Sequence, residues 1–454
     1  MKKIERKSVE KMTLFALTWP IFIEILLHML MGNADTLMLS QYSDNSVAAV
    51  GVANQILSVI IVMFGFVATG TAILIAQHLG AKEYKDATEI AVVSVGANLL
   101  FGAILSLILF VFGETFLNLM GIPNELMDEA YIYLVIVGGF SFIQSIIMTI
   151  GSIIRSYGFT RDTMYITIGM NVLNVIGNYL FIFGPFGIPV LGVQGVAIST
   201  VVSKTLGLVI LLWLLFKRVE HPLPFLQIFT LPVKHIKNLL RIGIPSAGEH
   251  LSYNLSQVVI TFFITMIGTE ALTTRVYTSN IMMFILLFSI AISQGTQIMI
   301  GHFIGARKFE QAYERCMRSL KLAILISGSM AVVTSLFTEQ LFGIFTDNQS
   351  IIKMGSMLIF LTIILEPGRA FNLVIINALR AAGDVKFPVY MGMLSMWGVS
   401  VTISYTLGIY FGLGLIGVWI SFIADEWLRG LIMLKRWKSR VWMNKTFLKE
   451  EKPA

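Results

Sequence analysis

Along most of the chain, apolar residues do not alternate with polar ones but run together. Twelve runs approach or exceed the roughly 20 residues that an α-helix needs to cross a hydrocarbon core of about 30 Å. They fall at 13–38, 47–78, 88–113, 126–152, 161–184, 191–216, 236–266, 273–304, 317–337, 351–377, 385–410 and 413–434. Polar residues gather in the turns between them and in a linker at 217–238. A membrane β-barrel would instead alternate over segments of about ten residues. The pattern therefore predicts an all-α integral membrane protein with twelve transmembrane helices. Composition agrees: 56% of residues are hydrophobic and 13% charged, against about 25% charged in soluble domains. The single cysteine, Cys316, cannot form an intramolecular disulfide. The first apolar run is too long for the core of a cleavable signal peptide.

Charge adds direction. With both termini in the cytoplasm, 28 of the 33 Lys and Arg lie on that side, two (Arg275 and Lys353) in external loops, and three (Lys204, Arg369 and Arg429) within spans. Short cytoplasmic segments of membrane proteins carry the excess of Lys and Arg. The bias thus predicts a multi-pass protein of the cell membrane with both ends cytoplasmic. It also assigns the net charge of +7 to topology and anionic lipid rather than to a nucleic-acid partner.

The chain repeats itself. Pro20 and Glu24 recur as Pro245 and Glu249, Ala76 to Ala87 as Gly301 to Ala312, and Arg155-Ser-Tyr-Gly158 as Arg380-Ala-Ala-Gly383, each at an offset of 225. Gly192 to Ser199 recurs as Gly414 to Ser421 at an offset of 222. Each repeat holds six spans, an even number, so both halves cross the membrane in the same sense. This predicts two six-helix lobes, 1–225 and 226–454, related by a pseudo-twofold axis along the membrane normal. Lobes so related enclose a cleft, and rocking between them gives alternating access.

Ionisable residues inside spans cost roughly 2.5–3.5 kcal/mol on insertion scales. The acids are Glu24, Asp35, Glu249, Glu366, Asp425 and Glu426. Glu24, Glu249 and Glu366 fall near the middle of their spans, Asp35 nearer the outer face. Arg429 follows Asp425 by four residues and Arg369 follows Glu366 by three, spacings that pair them on one helix face. That leaves Glu24, Asp35 and Glu249 without a local partner, in keeping with a cleft that attracts cations. Each also has a plainer reading, as a buried carboxyl hydrogen-bonded to a neighbouring helix. The fifth span carries Asn171, Asn174 and Asn178. These amides could bond Asp35, line a polar cavity, or hold helices together, as could Thr200 and Ser203 in the sixth. The repeat places Val399 and Ile403 opposite Asn174 and Asn178, so the polar set belongs to one lobe. Pro20 and Pro245 each remove a backbone hydrogen bond and allow a bend one turn before Glu24 and Glu249.

Other chemistry is missing. The six histidines are dispersed and form no metal-binding motif, no phosphate-binding loop of the Gly-x-x-x-x-Gly-Lys-Ser/Thr kind occurs, and no nucleophile is set beside a base. Neither an enzyme nor an ATP-driven pump is expected, and no cofactor.

The runs Trp19-Pro-Ile and Gly32-Asn-Ala-Asp-Thr-Leu-Met38, Asn174-Val-Ile-Gly-Asn178, Gly195-Val-Ala-Ile-Ser-Thr200 and Leu379-Arg-Ala-Ala-Gly-Asp384 together resemble the multidrug and toxic compound extrusion (MATE) transporters. The resemblance covers nearly the whole chain. It implies twelve helices in two lobes, a monomer, and export of organic cations and amphipathic drug-like compounds in exchange for H⁺ or Na⁺. By position, Asp35 matches the first-helix carboxylate tied to cation coupling, and Asn174 and Thr200 match members of its polar cluster. Asn178 stands where one branch has Asp and another Asn. Glu249 sits in the span where some branches carry a coupling acid. Arg369 falls about where another branch has a tenth-helix acid, with Glu366 a turn earlier. The alternative within the wider superfamily is a lipid-linked oligosaccharide flippase, whose anionic cargo would call for several unpaired Lys or Arg.

Overall fold

The computed structural model describes Val9 and residues 12–448, apart from the side chain of Phe229. The basic residues Lys2, Lys3, Arg6, Lys7, Lys11, Lys449 and Lys452, which entered the orientation argument, lie outside the described residues. Those that are described form helices and turns, without strands. Twelve long helical units follow in order: α1 (Leu14–Ser40), α2 (Asp44–Gly80), α3 (Tyr84–Leu119), α4 (Asn124–Gly138 with Ser141–Ser156), α5 (Thr160–Phe183), α6 (Gly192–Arg218), α7 (Val233–Ile267), α8 (Thr269–Gly305), α9 (Phe309–Leu336), α10 (Gln349–Ala381), α11 (Lys386–Tyr410) and α12 (Gly414–Lys438). Each matches one apolar run, although α9 starts at Phe309 rather than 317. Ten are long and apolar enough to cross a membrane unaided. Unit α4 is bent by 43° after a π-helical turn at Leu134–Gly138. Any membrane-length stretch of α12 contains Asp425, Glu426 and Arg429, a charge load that only mutual pairing makes tolerable.

The described residues divide into two compact units. The first comprises residues 19–79 and 83–243, the second the residues up to Thr18, 80–82, and those from Ile244 onward. The division falls inside α7, not in the linker. The start of α7 belongs to the first unit because it packs there: Leu239 and Ile242 lie against Gly70 of α2, and His235 reaches Glu89 of α3. The first unit closes around Leu39, Phe64, Leu109, Tyr133 and Val196. The second closes around Ile260, Ile264, Phe342, Leu358 and Trp419.

The repeat is visible in the helix ends. Gly80 and Gly305 close α2 and α8, as expected of helix-terminal glycines. The left-handed residues that turn the chain are, however, Lys82 (φ +62°) and Arg307 (φ +56°), again 225 apart. Pro20, Pro245 and Pro367 lie inside helices. Helix α11 differs from its counterpart α5 in having π-helical turns at Met396–Val401 and Ser404–Tyr410.

Candidate functional site

Three helices of the first unit bring Asp35, Asn174, Asn178 and Thr200 together. Helices α5 and α6 approach closely because small residues line their seam. A methyl group added at Gly177 would lie 2.2 Å from the Ser199 hydroxyl, and one at Gly207 2.2 Å from the Met170 sulfur. Small residues that let backbones approach in this way are the usual means of packing helices in lipid. At this seam Asn174 Nδ2 donates to Thr200 Oγ1 (3.2 Å), and the Ser199 hydroxyl donates to the Asn174 carbonyl (2.9 Å). One turn along α5, Asn178 Nδ2 donates to Asp35 Oδ1 at 2.5 Å and lies 3.5 Å from Asn174 Oδ1. Asn171 Nδ2 donates to the Leu27 carbonyl of α1 (2.9 Å). All three asparagines are buried, and Asp35 is 7% exposed. The amides therefore both join α5 to its neighbours and meet the carboxylate. Asn178 Oδ1 is buried with no hydrogen-bond partner, which leaves an unsatisfied acceptor beside the carboxylate.

A cavity of about 330 Å³ opens beside Asp35. Its polar lining includes His28, Asn54, Tyr133, Gln144, Thr200 and Lys204, among apolar side chains such as Leu57, Ile61 and Phe140. Lys204 thus faces the same space as Asp35, with no carboxylate within ion-pair distance among the described residues. A chamber with mostly apolar walls, one carboxylate, a lysine, a histidine and a few hydroxyl and amide groups has the make-up of a small-molecule pocket.

Glu24 and Glu249 are placed differently from the reading that left them unpartnered. Arg155 Nη1 donates to Glu24 Oε1 at 2.6 Å, and the Thr163 hydroxyl donates to Oε2 at 3.0 Å. In the second unit Arg380 pairs with Glu249 in the same way. Each glutamate is thus neutralised by the arginine of the Arg-x-x-Gly motif of its own repeat. Neither is an uncompensated charge, because a membrane-embedded carboxylate finds the nearest guanidinium. A signal was available in the sequence: both partners of the pair obey the 225 offset.

In the second unit Glu366 and Arg369 enter a buried ion network. Arg369 pairs with Glu366 (2.7 Å) and reaches Glu426 (3.8 Å); Arg429 pairs with Asp425 and Glu426, both at 3.1 Å. Asn372 donates to Glu426 (2.8 Å) and Ser395 to Asp425. Arg369, Asp425 and Glu426 also line a cavity of about 210 Å³ with Tyr253 and Arg275. Arg275 is not in an external loop, as the charge count assumed. It lies within α8 and donates to Gln257 Oε1 (2.9 Å) and the Thr261 hydroxyl of α7. The positions matching Asp35, Asn174, Asn178 and Thr200 by the repeat are Ile260, Val399, Ile403 and Phe422. Ile260 is core, so the carboxylate–amide cluster has no counterpart here.

The sequence signature described as MatE matches residues 20–180 and again 245–406, with starting points separated by the same 225 residues as the repeat. The "Uncharacterized transporter YisQ" of Bacillus subtilis (strain 168) is 55% identical over 442 residues, 97% of each chain. The "Probable multidrug resistance protein NorM" of Thermotoga maritima is 28% identical over 97% of this chain and 94% of its own. Among solved structures, a "multidrug resistance MATE family transporter of the MOP superfamily" in an outward-facing conformation superposes with a TM-score of 0.87 at 21% identity, over 98% of this chain and 100% of that one. A MOP superfamily transporter from Pyrococcus furiosus, reported under the words "Reverse polarity of binding pocket suggests different function", gives a TM-score of 0.86 at 21% identity over the same shares.

Proposed function

The chain belongs to the MatE family and is a multi-pass membrane transporter, not an enzyme, and we propose that it is a secondary antiporter exporting cationic or amphipathic drug-like compounds in exchange for H⁺ or Na⁺. The observation that carries this reading is Asp35: a carboxylate 7% exposed, beside a cavity of about 330 Å³, with one amide donor as its hydrogen-bond partner. A carboxylate taken out of water is costly unless a cation neutralises it. H⁺ bound to an oxygen, or Na⁺ shared with the nearby amide and hydroxyl oxygens, removes that cost and changes what the cavity attracts. Export follows if an organic cation and the coupling ion compete for one negative site that alternates between the two faces. The relatives named as multidrug resistance proteins agree with a substrate of this class, and the charge bias supports cytoplasmic termini. Nothing in the reading requires a second copy, so a monomer is proposed.

The flippase alternative would need cations in excess. The second-unit cavity instead sets Arg275 and Arg369 against Asp425 and Glu426, a balanced lining that favours no anionic cargo. The deciding experiment is efflux of a fluorescent organic cation from vesicles under an imposed pH or Na⁺ gradient, with native protein and Asp35→Asn. The antiporter reading expects gradient-driven transport that the variant loses; transport driven by neither gradient would overturn it.

A further inference from the structure

Where α2 ends and α3 begins, a cluster of metal-type ligands lies outside the site just described. Ligand atoms of His78, Glu83 and Asp86 all lie within 4.8 Å of one another, and so do those of Asp86, Glu89 and His235. Asp86 is common to both groups. His78 Nδ1 is 2.6 Å from Glu83 Oε2, and His235 Nε2 is 3.3 Å from Glu89 Oε2. Two physical reasons bring them together. Glu83, Asp86 and Glu89 follow one another at intervals of three, so they share a face at the start of α3. His235, in the first turn of α7, is folded back onto that face along with Lys234, while His221 of the linker stacks on Tyr84 at 4.7 Å.

A cluster of surface acids needs no ligand, but this one differs in which members are buried. His78 and His235 are 6% and 3% exposed, whereas Glu83 and Asp86 are 43% and 36% exposed. His235 is poorly satisfied for so buried a ring: its Nε2 makes one long contact, and its Nδ1 has no hydrogen-bond partner. The nitrogen that faces Glu89 is Nε2, held by that single long contact, and a metal ion there would supply the strong bond that the protein does not. The positive charge now beside Asp86 is Lys234 at 3.3 Å. It is a half-exposed surface contact of the weak kind, readily displaced.

We propose that Asp86, Glu89 and His235 bind one divalent transition-metal ion of the Zn²⁺ class. Mixed imidazole and carboxylate donors suit such ions, while Ca²⁺ and Mg²⁺ take all-oxygen sets. Ligand atoms around a tetrahedral Zn²⁺ stand about 3.4 Å apart, given bonds near 2.0–2.1 Å, so side-chain adjustment of an ångström or so closes the site. The ion would tie the start of α3 to the first turn of α7 and displace Lys234.

The test uses the full-length protein in detergent, stripped with a chelator and titrated with Zn²⁺ against a chromophoric competitor. One equivalent per chain is expected. Asp86→Asn and His235→Gln should each weaken binding by about tenfold or more, while His250→Ala, in the second unit, should leave it unchanged. Co²⁺ should give a visible absorption band in the native protein that His235→Gln loses. Native protein that takes up no stoichiometric Zn²⁺ overturns the site whatever the variants do. So does affinity unchanged in both Asp86→Asn and His235→Gln. The measurement involves no transport, so it stands or falls apart from the antiporter reading.

Discussion

Arg155 donates to Glu24 across 2.6 Å, and 225 residues further on Arg380 pairs with Glu249. In each repeat the pair joins the first helix, one turn past its proline, to the end of the fourth. Both pairs are shielded, with side chains 11–19% exposed. Breaking a shielded pair by removing one partner leaves the other charge uncompensated, at a cost of about 3 kcal/mol or more.

Glu24→Gln should therefore lower the melting temperature of the detergent-solubilised protein by several degrees. Arg155→Gln should do the same. The double variant should recover part of the loss, because it leaves no orphan charge. Equal and additive losses in the melts would show that the two side chains do not interact.

Asp35 and Asn178 form the contact on which the transport reading rests. Asn178→Ala removes the donor without touching the carboxylate. We expect gradient-driven efflux to fall at least tenfold while the melting temperature changes little, since an interhelical hydrogen bond in a membrane contributes only about 0.6–2 kcal/mol. Efflux assays and melts on the same preparation separate the two effects.

Lys204 shares the cavity of Asp35 and repels any cation bound there. Replacing it with Gln removes roughly 1–2 kcal/mol of repulsion at an effective dielectric near 20. Binding of a monovalent organic cation, measured by calorimetry, should tighten by about tenfold. Weaker binding in Lys204→Gln would mean that the lysine contacts the substrate directly.

Gly207 lies under Met170, where an added methyl would sit 2.2 Å from the sulfur. Gly207→Leu should push α5 from α6 and separate Asn174 from Thr200. Overpacking of this kind costs about 1–3 kcal/mol. Both the melting temperature and efflux should fall, whereas Gly169→Ala, at a position with nothing within 4 Å, should change neither.

Much of this molecule follows from one-dimensional pattern, for a physical reason. A bilayer leaves no water to satisfy backbone groups, so an apolar run of sufficient length has to be a helix, and all twelve runs are. The repeat and the pairings of Asp425 with Arg429 and Glu366 with Arg369 are likewise periodic or local facts. Which of several buried acids stays unpaired is not a local fact. Glu24 and Arg155 lie 131 residues apart, and only the packing of α4 and α5 against α1 brings a guanidinium to one acid and an amide to the other. The same holds for Arg275, turned inward from an apparent loop position, and for Asp86, Glu89 and His235, whose meeting depends on the linker folding back on α3. Hydrophobicity determined where the chain crosses the membrane; three-dimensional proximity decided where its charges are neutralised, and so which carboxylate is left to work.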